Sequence, residues 1–256
     1  MEHFEATRER KIELLCLAAR ILLENGSETY RVEETATRMA EGFGLPKINI
    51  SAFPTTIVFE CEGSARVRRI SKRGTNTLRI AQVNEISRRV ACGELGLKEA
   101  EDALHEVEQT PGPSKWTLRL AYAFAAASFC FLFCWDFRTF AVTFVIGLIA
   151  QMTQPLFSNM EMGALFGNFA GGLLISLLAQ AAHVFIPFDN VNAAISGGIM
   201  PLLSGLLMTT GVRDTMYGDL VSGMARALEA VLLAVSVALG VYVGLELAAM
   251  LGGLIL

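Results

Sequence analysis

Four charged residues late in the chain have the types and spacing expected of a polar site at the edge of a membrane. Asp214 and Asp219 follow an apolar stretch, and Arg226 and Glu229 lie three positions apart on one face of a predicted helix. Residues at that spacing can form an ion pair. Charges near membrane depth are costly and are therefore functional candidates. Arg226 would attract a carboxylate, and Glu229 would hold Arg226 in place or carry a proton.

The same segment has a plainer interpretation. Arg213, Asp214 and Asp219 can equally be an ordinary solvated loop between two spans, in which case Asp214→Asn has little effect. Asn168 and Pro201 are also candidate site residues, because a polar side chain and a helix break are both unusual within an apolar span. The amide of Asn168 stands in an apolar stretch, so it should face protein or water. Pro201, with several glycines around it, predicts a broken or re-entrant span.

The elements that must position these residues fall into two halves of different composition. Of the 256 residues, 53% are hydrophobic and 18% are charged, and 36 of the 46 charged residues lie within residues 1–119. The remainder has the composition of a membrane protein. The net charge of −4 offers no basic surface for nucleic acid. The histidines and cysteines show no metal-ligand spacing and no G-x-x-x-x-G-K-[ST] loop occurs, so we expect no metal, no nucleotide hydrolysis and no cofactor.

Residues 1–110 are predicted to form an α+β domain. Helices are predicted over 9–24, 28–42, 76–92 and 97–107, with Asn25-Gly26 ending the first and Ser27 capping the second. Segments 47–52, 55–60 and 65–70 predict a small antiparallel sheet, with a turn at Glu62-Gly63-Ser64. Residues 111–115 are predicted to be a linker, because the two prolines and the glycine at positions 111–113 stop any helix running through them.

Residues 116–256 are predicted to form a membrane domain of about five helices, because an apolar helix of about 20 residues crosses the hydrocarbon core. The candidate spans are residues 116–135, 139–154, 163–186, 193–210 and 225–251. The flanking basic residues favour a cytoplasmic N-terminus, with Leu256 outside. The predicted fold class is thus an α-helical, multi-pass integral membrane protein with an N-terminal cytoplasmic α+β domain.

Small residues mark where the membrane helices should approach one another. Gly163, Gly167 and Gly171 form two overlapping G-x-x-x-G steps, and Gly240 and Gly244 form another. Small side chains let helix backbones come close in lipid. Helix packing alone explains these glycines, and a path for a small solute between the helices is the sharper interpretation.

Five motifs, in order along nearly the whole chain, resemble the threonine/serine exporter family. In NGSETYRVEETATRMAEGFGL, the family signature falls on Gly26, Glu28, Arg31, Val32 and Glu33. FPTTIVF carries Pro54 and Thr55, RRISKRGTN carries Arg73 and Asn76, and Val83-Asn84 follows. The segment MPLLSGLLMTTGVRDTMYGDLVSGMARALEA is similar to a family segment in the membrane half, although Leu202 stands where the family tends to have glycine.

The resemblance implies a secondary exporter of a small polar metabolite across the inner membrane of a bacterium. Long members of the family carry a second membrane half. This chain resembles the split, two-component form, in which a small all-membrane partner supplies that half. The fused form is associated with threonine and serine and the split form with dicarboxylates such as succinate, so the cargo stays open. A homo-oligomer is also left open.

Two other classes of function remain. A membrane-anchored ligand-sensing or regulatory subunit would use its spans as an anchor and would not need polar residues such as Asn168 or Arg226. A membrane-tethered hydrolase is the third class, since the family's N-terminal domain has been likened to hydrolases. No serine lies in a G-x-S-x-G context. Glu28 and Glu33, five apart on a helix, do not share a face well, so we interpret them as surface charges and expect no enzyme.

Overall fold

A computed structural model describes residues 2–45, 48–61, 64–71, 73–158, 163–186, 188 and 190–255. Lys47, Glu62, Gly63 and Leu256, which the sequence predictions include, lie outside the described residues. The chain divides into two compact units, Met1–Gly112 with Met208–Ala227, and Pro113–Leu207 with Leu228–Leu256. The first unit therefore contains a segment that the sequence alone places in the membrane half. The limits of the predicted linker stay a prediction.

Four helices and one sheet make up the N-terminal part of the first unit. They are α1 (Glu2–Glu24), α2 (Thr29–Gly42), β1 (Ile48–Phe53), β2 (Thr56–Cys61), β3 (Ser64–Arg69), α3 (Thr77–Ala91) and α4 (Leu97–Gln109). The strands pair antiparallel in the order β1-β2-β3, with Ile50 opposite Phe59 and Val58 opposite Val67. The small sheet that the alternating residues predict is confirmed.

The core of this unit lies between the helices α1 to α4 and one face of the sheet. Its fully buried side chains include Leu15, Leu22, Val32, Met39, Ile57, Phe59, Val83 and Leu104. Burying a large apolar side chain contributes about 1.5–3 kcal/mol. This core fixes the corner between α1 and α2, on which the candidate site depends.

The corner between α1 and α2 forms at Gly26, as the sequence predicts. Gly26 has φ of 92°, in the left-handed region that glycine enters without strain. Asn25 closes the end of α1 by donating from Nδ2 to the carbonyl of Ile21 at 2.7 Å. The prediction that Ser27 caps α2 is wrong, because Glu28 holds the N-cap position and its side chain makes no cap hydrogen bond. The capping oxygen comes from a residue far along the chain.

The apolar part of the chain consists of helices joined by short connections, as far as the structure describes it. Its elements are α5 (Lys115–Cys134), α6 (Phe137–Ser158), α7 (Gly163–Phe185), α8 (Val191–Ile199), a 3₁₀ turn (Met200–Leu202), α9 (Gly205–Met216) and α10 (Leu220–Ile255). Among the described residues, three helices, α5, α7 and α10, are long and apolar enough to cross a membrane, and α8 with α9 would make a fourth if the bent pair is one span. The count of five spans stays a prediction.

The predicted fourth span is broken at the proline. Pro201 lies in the 3₁₀ turn, and α8 and α9 are bent by 53° across the break. Proline cannot donate a backbone hydrogen bond and so interrupts a helix. Asn168 of α7 donates from Nδ2 to the carbonyl of Leu202 at 3.3 Å and is buried. The amide therefore faces protein, as the sequence predicts.

Close contact between α7 and α10 uses different glycines from those predicted for α7. A Cβ on Gly240 would overlap the carbonyl of Phe169, and one on Gly172 would stand 2.5 Å from the carbonyl of Val237. A Cβ on Gly167 or Gly163 would meet no described atom within 4 Å. The predicted packing face is confirmed at Gly171, where a Cβ would stand 3.0 Å from Leu202 Cδ1. At Gly163 and Gly167 it stays a prediction, and the contact with α10 falls on Gly172.

Candidate functional site

Asp214 connects two segments that are distant in sequence but lie in one compact unit. Its Oδ1 accepts a hydrogen bond from the backbone N–H of Thr29 at 3.1 Å, across 185 positions. Thr29 is the first residue of α2, so the carboxylate of α9 caps a helix whose own N-cap residue does not. A carboxylate at a helix N-terminus is stabilised by the unsatisfied N–H groups and by the helix dipole.

Arg226 forms a buried ion pair with the same carboxylate. Its Nε lies 3.2 Å from Asp214 Oδ2, and the two side chains are 6% and 0% exposed. Its Nη2 donates to the carbonyl of Ser27 at 2.8 Å. The guanidinium thus joins the first turns of α10 to both α9 and the α1–α2 corner. A buried pair of this kind is costly to break, because the remaining charge has no compensation.

Three further contacts surround this pair. Arg213 Nη1 donates to Glu28 Oε1 at 2.9 Å. Thr29 Oγ1 donates to Asp219 Oδ2 at 3.0 Å. Tyr30 stacks on Tyr217 with ring centroids 4.0 Å apart. We call Glu28, Glu33, Arg213, Asp214, Asp219 and Arg226 the charged cluster; it holds four carboxylates and two guanidiniums.

Glu33 joins the cluster from the next turn of α2. Its Oε1 accepts from the backbone N–H of Ala52 at the end of β1, at 2.7 Å. Burial raises the pKa of Glu33, and the nearby carboxylates Asp219 and Asp214 raise it further, against the opposing effect of the Ala52 hydrogen bond. Glu33 also lines an open groove of about 700 Å³ between α2 and β1, together with Tyr30. The cluster therefore has one edge open to solvent.

Glycines bring α9 and α10 close enough for the ion pair to form. A Cβ on Gly223 would overlap Thr215 Oγ1 and stand 2.6 Å from the carbonyl of Gly211. Gly218, with φ of 95°, makes the turn between the two helices. Since any larger residue at Gly223 would push the helices apart, this crossing sets the distance between Asp214 and Arg226.

The other motif residues of the N-terminal part support the corner rather than join the cluster. Asn76 caps α3, with Oδ1 accepting from the backbone N–H groups of Leu78 and Arg79, and its own N–H donates to the carbonyl of Asn25 at 3.1 Å. Pro54 and Thr55 form the β1–β2 turn, where the Thr55 carbonyl accepts from Ile70 N–H at 2.8 Å. Arg31 and Arg73 are exposed.

Two sequence interpretations change at this site. Asp214 is fully buried within α9, so the interpretation of it as part of a solvated loop is wrong. Glu28 is also buried and paired, so it is not a free surface charge. In both cases a tertiary partner removes the side chain from water, which a local pattern cannot show.

The remaining candidates lie in the second unit. Asn168 binds the Leu202 carbonyl at the helix break, and Pro201 lies in the 3₁₀ turn there. Glu229 is half-buried on α10, and its pairing with Arg226 stays a prediction.

Three residues that contact the charged cluster through backbone or hydroxyl groups were not among the predicted site residues. These are Ser27, Thr29 and Ala52. Their nearness to the family signature at Gly26 and Glu28 is the signal that could have found Ser27 and Thr29.

The charged cluster holds side chains of the types that bind small charged groups. Among the described residues, no group of three or more His, Cys, Asp or Glu side chains is placed to hold a metal ion. The charged cluster offers a guanidinium with planar donors and several carboxylates, and such groups bind carboxylates and ammonium groups respectively.

The long apolar helices and the charged cluster define a multi-pass membrane protein with a small α+β unit. The chain belongs to the threonine/serine exporter family, since the family model described as "Putative threonine/serine exporter" matches residues 13–248. That family is one of transporters. The resemblance that the motifs suggest is therefore confirmed.

Three relatives show how much of the chain is shared. It is 23% identical over 242 residues to the "Probable threonine/serine exporter" of Mycobacterium tuberculosis, covering 92% of this chain and 46% of that protein. The "Threonine/serine exporter" of Corynebacterium glutamicum is 24% identical over 250 residues, which are 92% of this chain and 51% of that protein. The "Probable succinate transporter subunit YjjP" of Klebsiella aerogenes is 24% identical over 250 residues, which are 95% of this chain and 96% of that protein.

The chain thus spans about half the length of the two exporters and nearly all of the Klebsiella subunit. No solved structure matches it.

Proposed function

We propose that this chain is a subunit of a secondary exporter that carries a small polar carboxylate metabolite across the bacterial inner membrane. The cargo is threonine or serine, or a dicarboxylate such as succinate. A small all-membrane partner of the same family completes the transporter. The chain crosses the membrane five times, with residues 1–110 in the cytoplasm and the C-terminal end of α10 outside.

Membership of an exporter family supports transport, and the relatives' names support the choice of cargo. Two relatives are named for threonine and serine, and one is named as a succinate transporter subunit. The word "subunit" in the Klebsiella name supports assembly with a partner. All three cargoes carry a carboxylate, so a guanidinium is a suitable group to recognise what they share.

The observation that carries the proposal is the buried pair of Arg226 and Asp214 at the start of a very long apolar helix. At 1.5 Å per residue, the 36 residues of α10 extend about 54 Å, well beyond the roughly 30 Å of the hydrocarbon core. The first turns of α10, including Arg226, therefore have room to lie outside the hydrocarbon. A purely anchoring helix needs no buried charge there.

The geometry supports an exchange mechanism. Arg226 binds Asp214 through Nε and the Ser27 carbonyl through Nη2. A cargo carboxylate competes with Asp214 for the guanidinium, since both offer the same pair of oxygens. Displacing Asp214 also removes the cap from α2, because the same carboxylate accepts from Thr29 N–H. Cargo binding is thereby coupled to the contact between α9 and the α1–α2 corner.

Counterflow in vesicles tests this function. The chain and its small membrane partner are reconstituted together, loaded with unlabelled threonine, serine or succinate, and supplied with the labelled compound outside. We expect uptake of at least one cargo by the pair and none above background by the chain alone. Robust counterflow by the chain alone would contradict the two-component proposal, and no counterflow by the pair with any cargo would contradict transport.

Fusion of a reporter to the C-terminal end of α10 tests the topology. We expect alkaline phosphatase to be active there and a fluorescent protein to be dark, as both results place that end outside. The control is the same pair of reporters at the N-terminus, where the opposite result is expected. A cytoplasmic C-terminal end would rule out five spans.

A further inference from the structure

The segment that joins α9 to α10 carries much of the exposed apolar surface of the first unit. Six large apolar side chains between positions 212 and 224 are exposed, and we call them the apolar face: Val212, Met216, Tyr217, Leu220, Val221 and Met224. Among the described residues of 1–112, only three such side chains are exposed, and they lie on three different elements: Phe53, Val67 and Leu78. An exposed apolar surface of this kind marks an interaction site.

The apolar face lies on the side of α9 and α10 that points away from the charged cluster. Residues two positions apart on a helix project about 200° apart. Val212 and Met216 are each two positions from the buried Asp214, and Met224 is two positions from the buried Arg226. One side of the two helices therefore packs on the α1–α2 corner, and the opposite side is left exposed.

The charged side chains of this segment all bind α2 or its N-cap residue. Arg213 pairs with Glu28, and Asp214 accepts from the backbone N–H of Thr29. Asp219 accepts from Thr29 Oγ1. Positions 212–224 hold no other charged residue, so the apolar face has no ionised side chain of its own. A partner that binds this face does so through apolar contact and not through charge.

The apolar face continues along a helix that is able to enter a bilayer. The stretch Leu220–Leu251 of α10 is apolar enough to cross a membrane, and exposed apolar side chains follow one another from Leu220 through Leu228 to Leu232 and Val235. These 32 residues extend about 48 Å, which exceeds the roughly 30 Å of the hydrocarbon core and matches a bilayer with its headgroups. Tyr217 precedes the helix, and tyrosine is enriched at membrane interfaces.

We propose that the apolar face lies in the interfacial layer of a lipid bilayer, among the headgroups and the first acyl carbons. The bilayer covers the exposed apolar side chains in the way that it covers the apolar face of an interfacial helix. The charged cluster, on the other side of the same two helices, is thereby held at the membrane surface. Because no charge takes part, the contact forms with zwitterionic as well as anionic lipids.

Fluorescence quenching by brominated lipids tests this placement. Trp116 and Trp135 are both exposed and are replaced by phenylalanine, and Leu220→Trp then supplies the only tryptophan of the full chain. The protein is reconstituted in phosphatidylcholine vesicles that carry bromine either near the headgroup or near the end of the acyl chain. We expect bromine near the headgroup to reduce the emission at least twofold, and bromine near the chain end to reduce it less.

Matched tryptophans in the same background calibrate the result. Val67→Trp occupies an equally exposed apolar position on β3 and should not be quenched by either lipid. Leu239→Trp, further along α10, should be quenched more by bromine near the chain end. Met216→Trp repeats the measurement from α9, so that the test does not depend on one variant folding. Thermal unfolding checks that each variant matches the background protein.

Two results would overturn the proposal. One is emission from Leu220→Trp and Met216→Trp that brominated lipids leave unchanged, as in Val67→Trp, since the face would then lie in water. The other is quenching that disappears when the small membrane partner is reconstituted with the chain, since a protein would then cover the face. Quenching of the chain alone needs no transport, so the proposed function can fail while this placement stands.

Discussion

Asp214 caps α2 through the backbone N–H of Thr29, 185 positions earlier in the chain, while its second oxygen faces Arg226. One buried carboxylate therefore stabilises a helix start and an arginine at once. The helix that carries Asp214 and the helix that carries Arg226 cannot move apart from the α1–α2 corner without exposing or orphaning a charge. This shared carboxylate is the centre of the site.

Asp214→Asn should destabilise the protein strongly. Asparagine can still accept from Thr29 N–H, but it removes the carboxylate charge that faces the 6%-exposed Arg226 side chain. Breaking a buried pair in this way costs about 3–5 kcal/mol. Thermal unfolding of the detergent-solubilised chain measures the loss. Glu85→Gln is the control, since the exposed pair of Glu85 with Arg88 should contribute less than about 1 kcal/mol to stability. Equal losses of stability in the two variants would contradict a buried pair at Asp214.

Gly223→Ala should separate α9 from α10. Its Cβ would overlap Thr215 Oγ1 and approach the Gly211 carbonyl to 2.6 Å, and overpacking of this kind costs about 1–3 kcal/mol. The protein should unfold at lower temperature and lose transport. Gly167→Ala is the control, because a Cβ there meets no described atom within 4 Å, and it should be neutral or slightly stabilising. A harmless Gly223→Ala would show that the crossing is looser than described.

Glu33 should make stability depend on pH. Its pKa is raised in the folded chain, by burial first and then by Asp219 and Asp214. Folding therefore favours the protonated carboxyl group. Its contribution to the free energy of unfolding is fully present below the ordinary glutamate pKa of 4.5, and it is lost as pH rises through the raised pKa of the folded chain.

Unfolding of the wild type and Glu33→Gln from pH 4 upward measures that dependence. Glu33→Gln can keep the Ala52 hydrogen bond and removes the titration, so its stability relative to the wild type should rise with pH. Glu33→Asp, which keeps a carboxylate, serves as the control and should follow the wild type. A constant difference between wild type and Glu33→Gln across the range would refute the raised pKa.

Much of the fold follows from local patterns, and the candidate site does not. The alternating residues of 47–70 predict the sheet, and Asn25-Gly26 predicts the corner. Arg226 is given Glu229 as a partner by helical spacing, yet its contacts in the first unit are with Asp214 and Ser27. No periodicity connects positions 27–33 with 213–226. The resemblance names both groups of residues, and only tertiary packing shows that they form one cluster.

Glycine patterns predict close packing only in part, for a related reason. The G-x-x-x-G spacing selects Gly163, Gly167 and Gly171; Gly171 packs against Leu202, whereas the contact with α10 falls on Gly172. Spacing identifies residues on one helix face but not which face meets a neighbour. Gly240 and Gly244, by contrast, do lie at a close approach.

The central claim, that the Arg226–Asp214 pair takes part in export and is not merely a structural clasp, is tested most directly by neutralising both partners together. Asp214→Asn with Arg226→Gln removes both charges and lets the two amides replace the bonds to Thr29 N–H and the Ser27 carbonyl, so thermal stability should recover above that of either single variant. Initial counterflow rates are then measured in vesicles with the small partner, at equal amounts of inserted protein. Our account predicts that the double variant is inserted and stable but at least tenfold slower than the wild type. Transport at the wild-type rate would contradict it.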